Sequence, residues 1–194
     1  MKALSMFILK LFGWKIEGDF SPQVKKCVVV AAPHTSNWDF VLGRAALYVL
    51  GINVKYLIKK SFFVFPLNLF FKFTGGIAVD RSKHNNLVDA LANLFNHYDD
   101  LKIMITPEGT RSRVEKWKTG FYHVAQKAKV PVVLGFLDYK NKIAGVGPTY
   151  YLTGDFNKDM EYIQAFYQNK NAKFPEKFNK QIFVAKENTG NLPN

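Results

Sequence analysis

Cysteine and acidic residues are both scarce in this chain. The single cysteine, Cys27, excludes any disulfide within the 194 residues, and the lack of a disulfide framework favours a reducing compartment. The 15 Asp and Glu residues are outnumbered by 27 Lys and Arg residues, which gives a net charge of +12. This charge predicts a polyanionic partner, which is an anionic lipid surface, a phosphorylated substrate, an acidic carrier protein or a nucleic acid. Charge alone does not choose among them.

Several motifs of well-known enzymes are absent as well. The chain has no Gly-x-Ser-x-Gly elbow, no Gly-x-x-x-x-Gly-Lys-Ser/Thr loop, no Gly-x-Gly-x-x-Gly and no His-Glu-x-x-His. The sequence therefore gives no support for a serine acyl-enzyme, for ATP or dinucleotide chemistry, or for a metal site. No internal repeat and no linker rich in Pro, Gly or Ser interrupts the chain, so residues 1–194 are predicted to form one domain.

Strand-like and helix-like patterns alternate along the chain. Apolar strand-like runs are predicted at 28–31, 54–58, 77–79, 102–106 and 132–136, with a weaker candidate at 150–152. Helical patterns fall at 36–50, 62–71, 85–98, 120–129 and 159–168. This alternation predicts the α/β class, as a single-domain sandwich with a mixed, largely parallel sheet flanked by helices. Polar residues that follow the strands would then lie where such sheets bind ligands.

A histidine and an aspartate, His34 and Asp39, form the first candidate site. Ser36 is a good helix N-cap, and Asp39, three residues on, completes a capping box at the start of a helix. His34 would then lie in the preceding loop, where the carboxylate can accept from Nδ1–H and leave Nε2 free to take a proton from an alcohol. The alternative is that Ser36 and Asp39 are only a cap and His34 only a loop residue.

Four blocks of residues occur in an order that is typical of one enzyme family. They are His34 to Asp39, Gly75 to Arg81 (Gly-x-Ile-x-Val-x-Arg), Glu108 to Ser112 (Glu-Gly-Thr-Arg-Ser) followed by Trp117-Lys118-Thr119-Gly120, and Val130 to Val133. In this order the chain resembles the glycerolipid (lysophospholipid) acyltransferase family, which includes bacterial lysophosphatidate acyltransferases. Leu134 departs from the pattern, because the family often has a second proline there.

The resemblance implies an O-acyltransferase. It would move a fatty acyl group from an acyl thioester, either acyl-CoA or an acyl carrier protein, to the hydroxyl of a lyso-glycerophospholipid, with lysophosphatidate as the default. No bound cofactor is expected. The catalytic pair would be His34 as base and Asp39 as its orienter. The residues expected to bind the glycerol-phosphate part of the acceptor are Arg81, Glu108, Gly109, Thr110 and Arg111.

Simple physical reasons support these acceptor residues, and each has an alternative. Guanidinium groups suit phosphate, and the missing side chain of Gly109 would let a ligand approach backbone N–H groups. Arg81 could instead pair with Asp80 or Asp89 at the surface, and Arg111 with Glu108 or Glu115. Lys118 could help to hold the phosphate, but it is interpreted as a solvated lysine.

Two apolar segments are candidates for contact with a membrane. Residues 61–71 carry no charge but are shorter than the roughly 20 residues that span a bilayer, so they are predicted to be a core element, a wall of an acyl-chain groove or a surface that dips into lipid. Residues 1–15 place apolar side chains at helical spacing among lysines, which predicts either an amphipathic membrane-surface helix or a terminal helix packed in the core. Lys10 interrupts this stretch, so a secretory signal is not favoured. The expected location is cytoplasmic, peripheral on the anionic inner face of the cell membrane.

Two other classes of protein fit parts of the sequence. A basic, aromatic-rich nucleic-acid-binding module would explain the charge but not the ordered blocks, so no nucleic-acid partner is expected. A non-catalytic lipid-binding protein of the same fold would explain the apolar segments. The first would show salt-dependent nucleic-acid affinity, whereas the second would release no thiol from an acyl thioester.

Overall fold

One sheet organises the computed structural model, which describes residues 2–79 and 84–184. The strands are β1 (Lys15–Glu17), β2 (Lys26–Ala32), β3 (Val54–Lys59), β4 (Gly76–Val79), β5 (Leu101–Ile105), β6 (Val132–Asp138) and β7 (Ile143–Tyr150). Their order across the sheet is β1-β7-β6-β2-β5-β3-β4. Neighbours are parallel except β6 and β7, which are antiparallel. The prediction of a mixed, largely parallel sheet in an α/β fold is therefore confirmed.

Helices cover both faces of this sheet. They are α1 (Lys2–Leu11), α2 (Asn37–Val49), α3 (Leu67–Thr74), α4 (His84–His97), α5 (Gly120–Ala128) and α6 (Phe156–Gln168), with short 3₁₀ turns at Lys60–Phe62 and Pro175–Lys177. Helices α1, α2 and α3 pack on one face, whereas α4, α5 and α6 pack on the other. Within the described part of the chain, no helix combines the length and apolarity needed to cross a bilayer.

Strand β2 shows why the central strands are largely apolar. Its side chains alternate, because successive residues of a strand point to opposite faces. Cys27 and Val29 pack on the α2 side, and Val28 and Val30 pack on the side of α4, α5 and α6. Both sets are fully buried, since helices cover both faces of the sheet. Cys27 is thus a buried strand residue, as its position before three valines predicts.

Two strands depart from the sequence prediction. The weak strand predicted at 150–152 is wrong in its bounds, because β7 lies almost entirely before it, and β1 was not predicted. Glycines interrupt the apolar pattern of β7 for a steric reason. A Cβ at Gly145 would lie 1.8 Å from the carbonyl oxygen of Glu17 in β1, and one at Gly147 would lie 2.5 Å from the ring of Phe166. These glycines permit the close approach of β1 and α6.

Helix α3 also begins later than predicted. The pattern at 62–71 resolves into a short 3₁₀ turn and then α3, with Pro66 at the N-cap position of the helix. Proline disfavours a helical conformation in the residue before it and is tolerated at the start of a helix, which explains the later start. The other helical patterns agree with α2, α4, α5 and α6 within a few residues at each end.

Candidate active site

Two loops meet at the carboxyl ends of β2 and β5. His34 is the second residue after β2, and Glu108 is the third residue after β5. The two strands are parallel neighbours, with Val30 paired to Ile105 near their ends. The sheet therefore brings together two sequence blocks that are far apart in the chain, at the edge where parallel sheets bind ligands.

The start of α2 positions the histidine and the aspartate. Ser36 caps the helix through its side chain, and the carboxylate of Asp39 accepts from the backbone N–H groups of Thr35 and Ser36 at 2.6 and 2.7 Å. The predicted capping box is present. The same carboxylate oxygen, Oδ2, lies 3.5 Å from Nδ1 of His34. This distance is longer than an ordinary N–H···O hydrogen bond, so the two side chains face each other across a long contact.

The carboxylate of Asp39 is almost completely buried but well supplied with donors. Only 7% of the residue is exposed. Burial alone would raise the pKa of Asp39, but hydrogen bonds from His34, Tyr139, Ser36 and Thr35 outweigh it and hold the pKa below its usual range. Asp39 is therefore an anion at neutral pH, which is the state that can orient an imidazole and stabilise its protonated form.

Glu108 is buried against the loop that carries His34. The residue is 4% exposed, and its carboxylate oxygens accept from the backbone N–H of His34 at 3.1 and 3.0 Å. Burial raises the pKa of Glu108 to about 8, against the effect of that hydrogen bond and together with the charge of Asp39. The Glu108 side chain thus supports the loop that carries His34, and Glu108 is not among the residues that line the cavity described below.

The rest of this loop lies at the mouth of the site. Gly109 has a φ of +68°, a conformation that favours glycine, and a Cβ there would lie 3.2 Å from Nζ of Lys118. Its N–H donates to the carbonyl of Thr106 at 3.1 Å. The missing side chain of Gly109 makes room for Lys118. Both Gly109 and Lys118 line the cavity described below, and a contact of Lys118 with phosphate stays a prediction.

Arg111 and Thr110 are exposed next to the start of α2. The guanidinium of Arg111 donates to the side-chain oxygen of Asn37, the first residue of α2. It does not make the alternative pair with Glu108 or Glu115. Arg81, the other predicted phosphate-binding residue, lies outside the described residues. Its role stays a prediction.

A cavity of about 700 Å³ opens beside His34. Its polar residues, which include Asn37, Thr110, Arg111 and Lys118, follow the strand ends. Its apolar residues come from α2, β3 and α3 on one face of the sheet and from α4 and α5 on the other. Leu134, where the family often has proline, packs in the core on the far side of the sheet from α2 and does not line this cavity. Among residues 2–79 and 84–184, no group of three or more His, Cys, Asp or Glu side chains is arranged to hold a metal ion.

Arg44 lines the cavity and connects three of the elements around it. This buried side chain of α2 donates to the carbonyl of Val54 at 2.8 Å and to the carbonyl of Thr74 at 2.6 Å. It therefore ties α2 to the start of β3 and to the end of α3. Neither contact could be read from the sequence, because each depends on the packing of separate elements.

A histidine–aspartate pair thus lies beside a largely apolar cavity at the carboxyl edge of the sheet. A model of the Acyltransferase family matches residues 14–133, and the chain belongs to that family. The resemblance inferred from the four blocks is confirmed.

Curated relatives make the likeness more specific. The chain is 33% identical over 133 residues to a 1-acyl-sn-glycerol-3-phosphate acyltransferase of Haemophilus influenzae, covering 63% of this chain and 53% of that protein. It is 30% identical over 131 residues to the protein of the same name from Escherichia coli, covering 63% and 52%. The chain thus spans about half the length of these relatives.

A solved structure shares the fold. The crystal structure of the 1-acyl-sn-glycerophosphate acyltransferase PlsC from Thermotoga maritima aligns with a TM-score of 0.60 and 16% sequence identity, covering 85% of this chain and 74% of that one. At this identity the likeness concerns the fold alone.

Proposed function

We propose that this chain is an O-acyltransferase that moves a fatty acyl group from a thioester to the hydroxyl of a lyso-glycerophospholipid, with lysophosphatidate as the favoured acceptor. One observation carries the proposal: a histidine backed by a buried carboxylate anion borders a cavity that is cationic at its mouth and apolar further in. The names of the relatives from Haemophilus influenzae and Escherichia coli support the same acceptor.

The proposed reaction is direct transfer in a complex of donor and acceptor. Asp39 orients His34 through Nδ1–H, so Nε2 removes the proton of the acceptor hydroxyl as the oxygen attacks the thioester carbonyl. The tetrahedral intermediate then collapses with cleavage of the C–S bond, and the departing sulfur takes the proton from Nε2. The residues return to their starting state, and the products are a free thiol and an ester. The donor would be acyl-CoA or an acyl carrier protein.

The acceptor phosphate would be held by cations at the cavity mouth. Arg111 and Lys118 line the cavity, and Arg81 completes this set in the proposal. The hydrogen bond of Arg111 to Asn37 fixes the guanidinium beside the start of α2. Glu108 would act behind His34, by holding the backbone N–H of the base.

Two exposed apolar surfaces favour a membrane as the source of the acceptor. The exposed α1 face consists of Leu4, Phe7 and Leu11. The exposed α3 region consists of Phe65, Leu67, Leu69, Phe70 and Phe73. Phe7 is 64% exposed and Phe73 is 81% exposed, which is costly in water but favourable in a lipid interface.

The two surfaces lie on the same side of the sheet and can act together. Both α1 and α3 pack on the sheet face that carries α2. With the net charge of +12, they support peripheral attachment to an anionic membrane, on the cytoplasmic face. The N-terminal segment is also part of the core, because Leu9 and Trp14 are buried against α2 and the sheet. Substituting the exposed α1 face therefore tests the anchor better than deleting the segment would.

Lipid mass spectrometry of the purified protein tests the proposed activity. The protein is supplied with a mixture of lyso-acceptors and with acyl-CoA or acyl carrier protein, and free thiol is measured in parallel. The expected product is a diacyl phospholipid that forms in step with thiol release and only when a lyso-acceptor is present. Lipid binding without thiol release would refute the proposed activity and favour the non-catalytic lipid-binding protein.

A further inference from the structure

The buried carboxylate of Asp39 receives a hydrogen bond that the histidine–aspartate pair does not require. Oδ2 faces His34 and accepts from Thr35 and Ser36, whereas Oδ1 accepts from the hydroxyl of Tyr139 at 2.6 Å. Tyr139 is far from Asp39 in the sequence and belongs to none of the four blocks. Its contact with Asp39 is created by the order of the strands, since β6 lies next to β2 in the sheet.

Tyr139 is itself held firmly. It is the first residue after β6, its N–H donates to the carbonyl of Asn171 at 2.8 Å, and its ring packs edge-to-face on Trp14 with 4.9 Å between centroids. The neighbouring Asp138 accepts from the side chain of Asn171 at 3.0 Å. Burial, with the adjacent Asp39, raises the pKa of the Tyr139 phenol, so the hydroxyl stays protonated as a donor.

Among residues 2–79 and 84–184, only the hydroxyl of Tyr139 donates to Oδ1 of Asp39, because Thr35 and Ser36 donate to Oδ2. Loss of this hydroxyl would leave Oδ1 without a donor from those residues, and no hydrogen bond to Oδ1 would then fix the plane of the carboxylate. An unpaired oxygen in a buried carboxylate is unfavourable, and the group responds by rotating or by taking up a proton. Either response moves Oδ2 or its charge away from Nδ1 of His34.

We propose that Tyr139 is a positioning residue for His34: its hydroxyl fixes the carboxylate of Asp39 so that Oδ2 faces Nδ1 and the proton of the neutral imidazole stays on that nitrogen. The effect of Tyr139 on catalysis rests on the proposed acyltransferase function, whereas its effect on the tautomer of the His34 imidazole does not. Tyr139 touches no reacting atom and acts through Asp39.

The test compares Tyr139→Phe with a matched control that removes a tyrosine–aspartate hydrogen bond elsewhere. Tyr150 donates to the fully buried Asp159 at 2.8 Å, and it pairs with Val132 at the start of β6, the opposite edge of the sheet from His34. Tyr150→Phe therefore removes the same kind of contact without touching the pair. Thermal melts of both variants check that each is folded.

Two readouts separate positioning from loss of stability. In Tyr139→Phe, kcat should fall by about tenfold, as loss of a hydrogen bond to a charged group implies, while KM for the acceptor changes less than about twofold. The ¹⁵N shifts of His34, assigned by comparison with His34→Ala, should change from the Nδ1–H tautomer to a mixture. Tyr150→Phe should keep the wild-type kcat and the wild-type tautomer.

The outcomes that would overturn the proposal are distinct from a failure of the proposed function. Tyr139→Phe with an unchanged His34 tautomer would overturn it, whatever the activity. If the wild-type protein transfers no acyl group, the proposed function is wrong, and the tautomer still decides the role of Tyr139. Should Tyr139→Phe not fold, the ¹⁵N shifts of His34 in the wild-type protein still test the proposal. The Nδ1–H tautomer is expected there, and an Nε2–H tautomer would contradict the proposal.

Discussion

Replacing Glu108 by glutamine should make the stability of the protein less dependent on pH. Burial raises the pKa of Glu108 from 4.5 to about 8, so in the folded state this group keeps its proton over a pH range in which the unfolded chain has lost it. The unfolded state then binds fewer protons, and the free energy of unfolding falls as the pH rises. The favourable contribution is complete below pH 4.5 and is lost as the pH approaches 8.

The size of this effect follows from the two pKa values. The interval from 4.5 to about 8, at about 1.4 kcal/mol for each pKa unit, corresponds to a loss of at most about 5 kcal/mol. Glutamine has nearly the same shape, carries no titrating proton, and can accept from the N–H of His34 through its amide oxygen. At pH 5 we therefore expect Glu108→Gln to match the wild type within about 1 kcal/mol, and at pH 8 we expect it to be the more stable protein.

Urea unfolding at several pH values between 5 and 8 measures this difference. Trp14 and Trp117 are both buried, so their fluorescence reports the unfolding of the core. Glu115→Gln is the matched control, because Glu115 is exposed and should leave the pH dependence unchanged. Equal pH dependence of Glu108→Gln and wild type would refute the reasoning, since it would mean that Glu108 is ionised in the folded protein at neutral pH.

Three further predictions concern the reaction and the membrane. His34→Ala should lower kcat by on the order of 10²–10⁴ in a folded protein, whereas replacement of the exposed His97 by alanine should leave kcat unchanged. Near-wild-type turnover in a folded His34→Ala variant would refute the proposed mechanism. Arg81→Ala should chiefly raise KM for a phosphorylated acceptor, with incomplete rescue by Arg81→Lys; unchanged acceptor kinetics would remove Arg81 from the site. Replacing the three residues of the exposed α1 face by serine should weaken flotation with anionic vesicles, most at high salt, where the electrostatic attraction is screened. The control Tyr151→Ser should float as the wild type does. Equal partition of the α1 variant and the wild type onto vesicles would refute the anchor.

The sequence by itself determined the features that depend on neighbouring residues. Ser36 and Asp39 specify a capping box at the start of α2 because the two residues stand three apart, and the cap places Asp39 near His34. Apolar runs specified the central strands, since strands covered on both faces are largely apolar. The ordered blocks were sufficient to indicate the family, which the match over residues 14–133 confirms.

Only the tertiary structure decided which distant residues surround this pair. Glu108 reaches the N–H of His34 because β5 lies beside β2, and Tyr139 reaches Asp39 because β6 lies on the other side of β2. The order of strands in a sheet is fixed by the packing of the whole chain, and no local pattern encodes it. For the same reason the sequence did not predict that folding buries the carboxylate of Glu108 against the loop of His34 and raises its pKa.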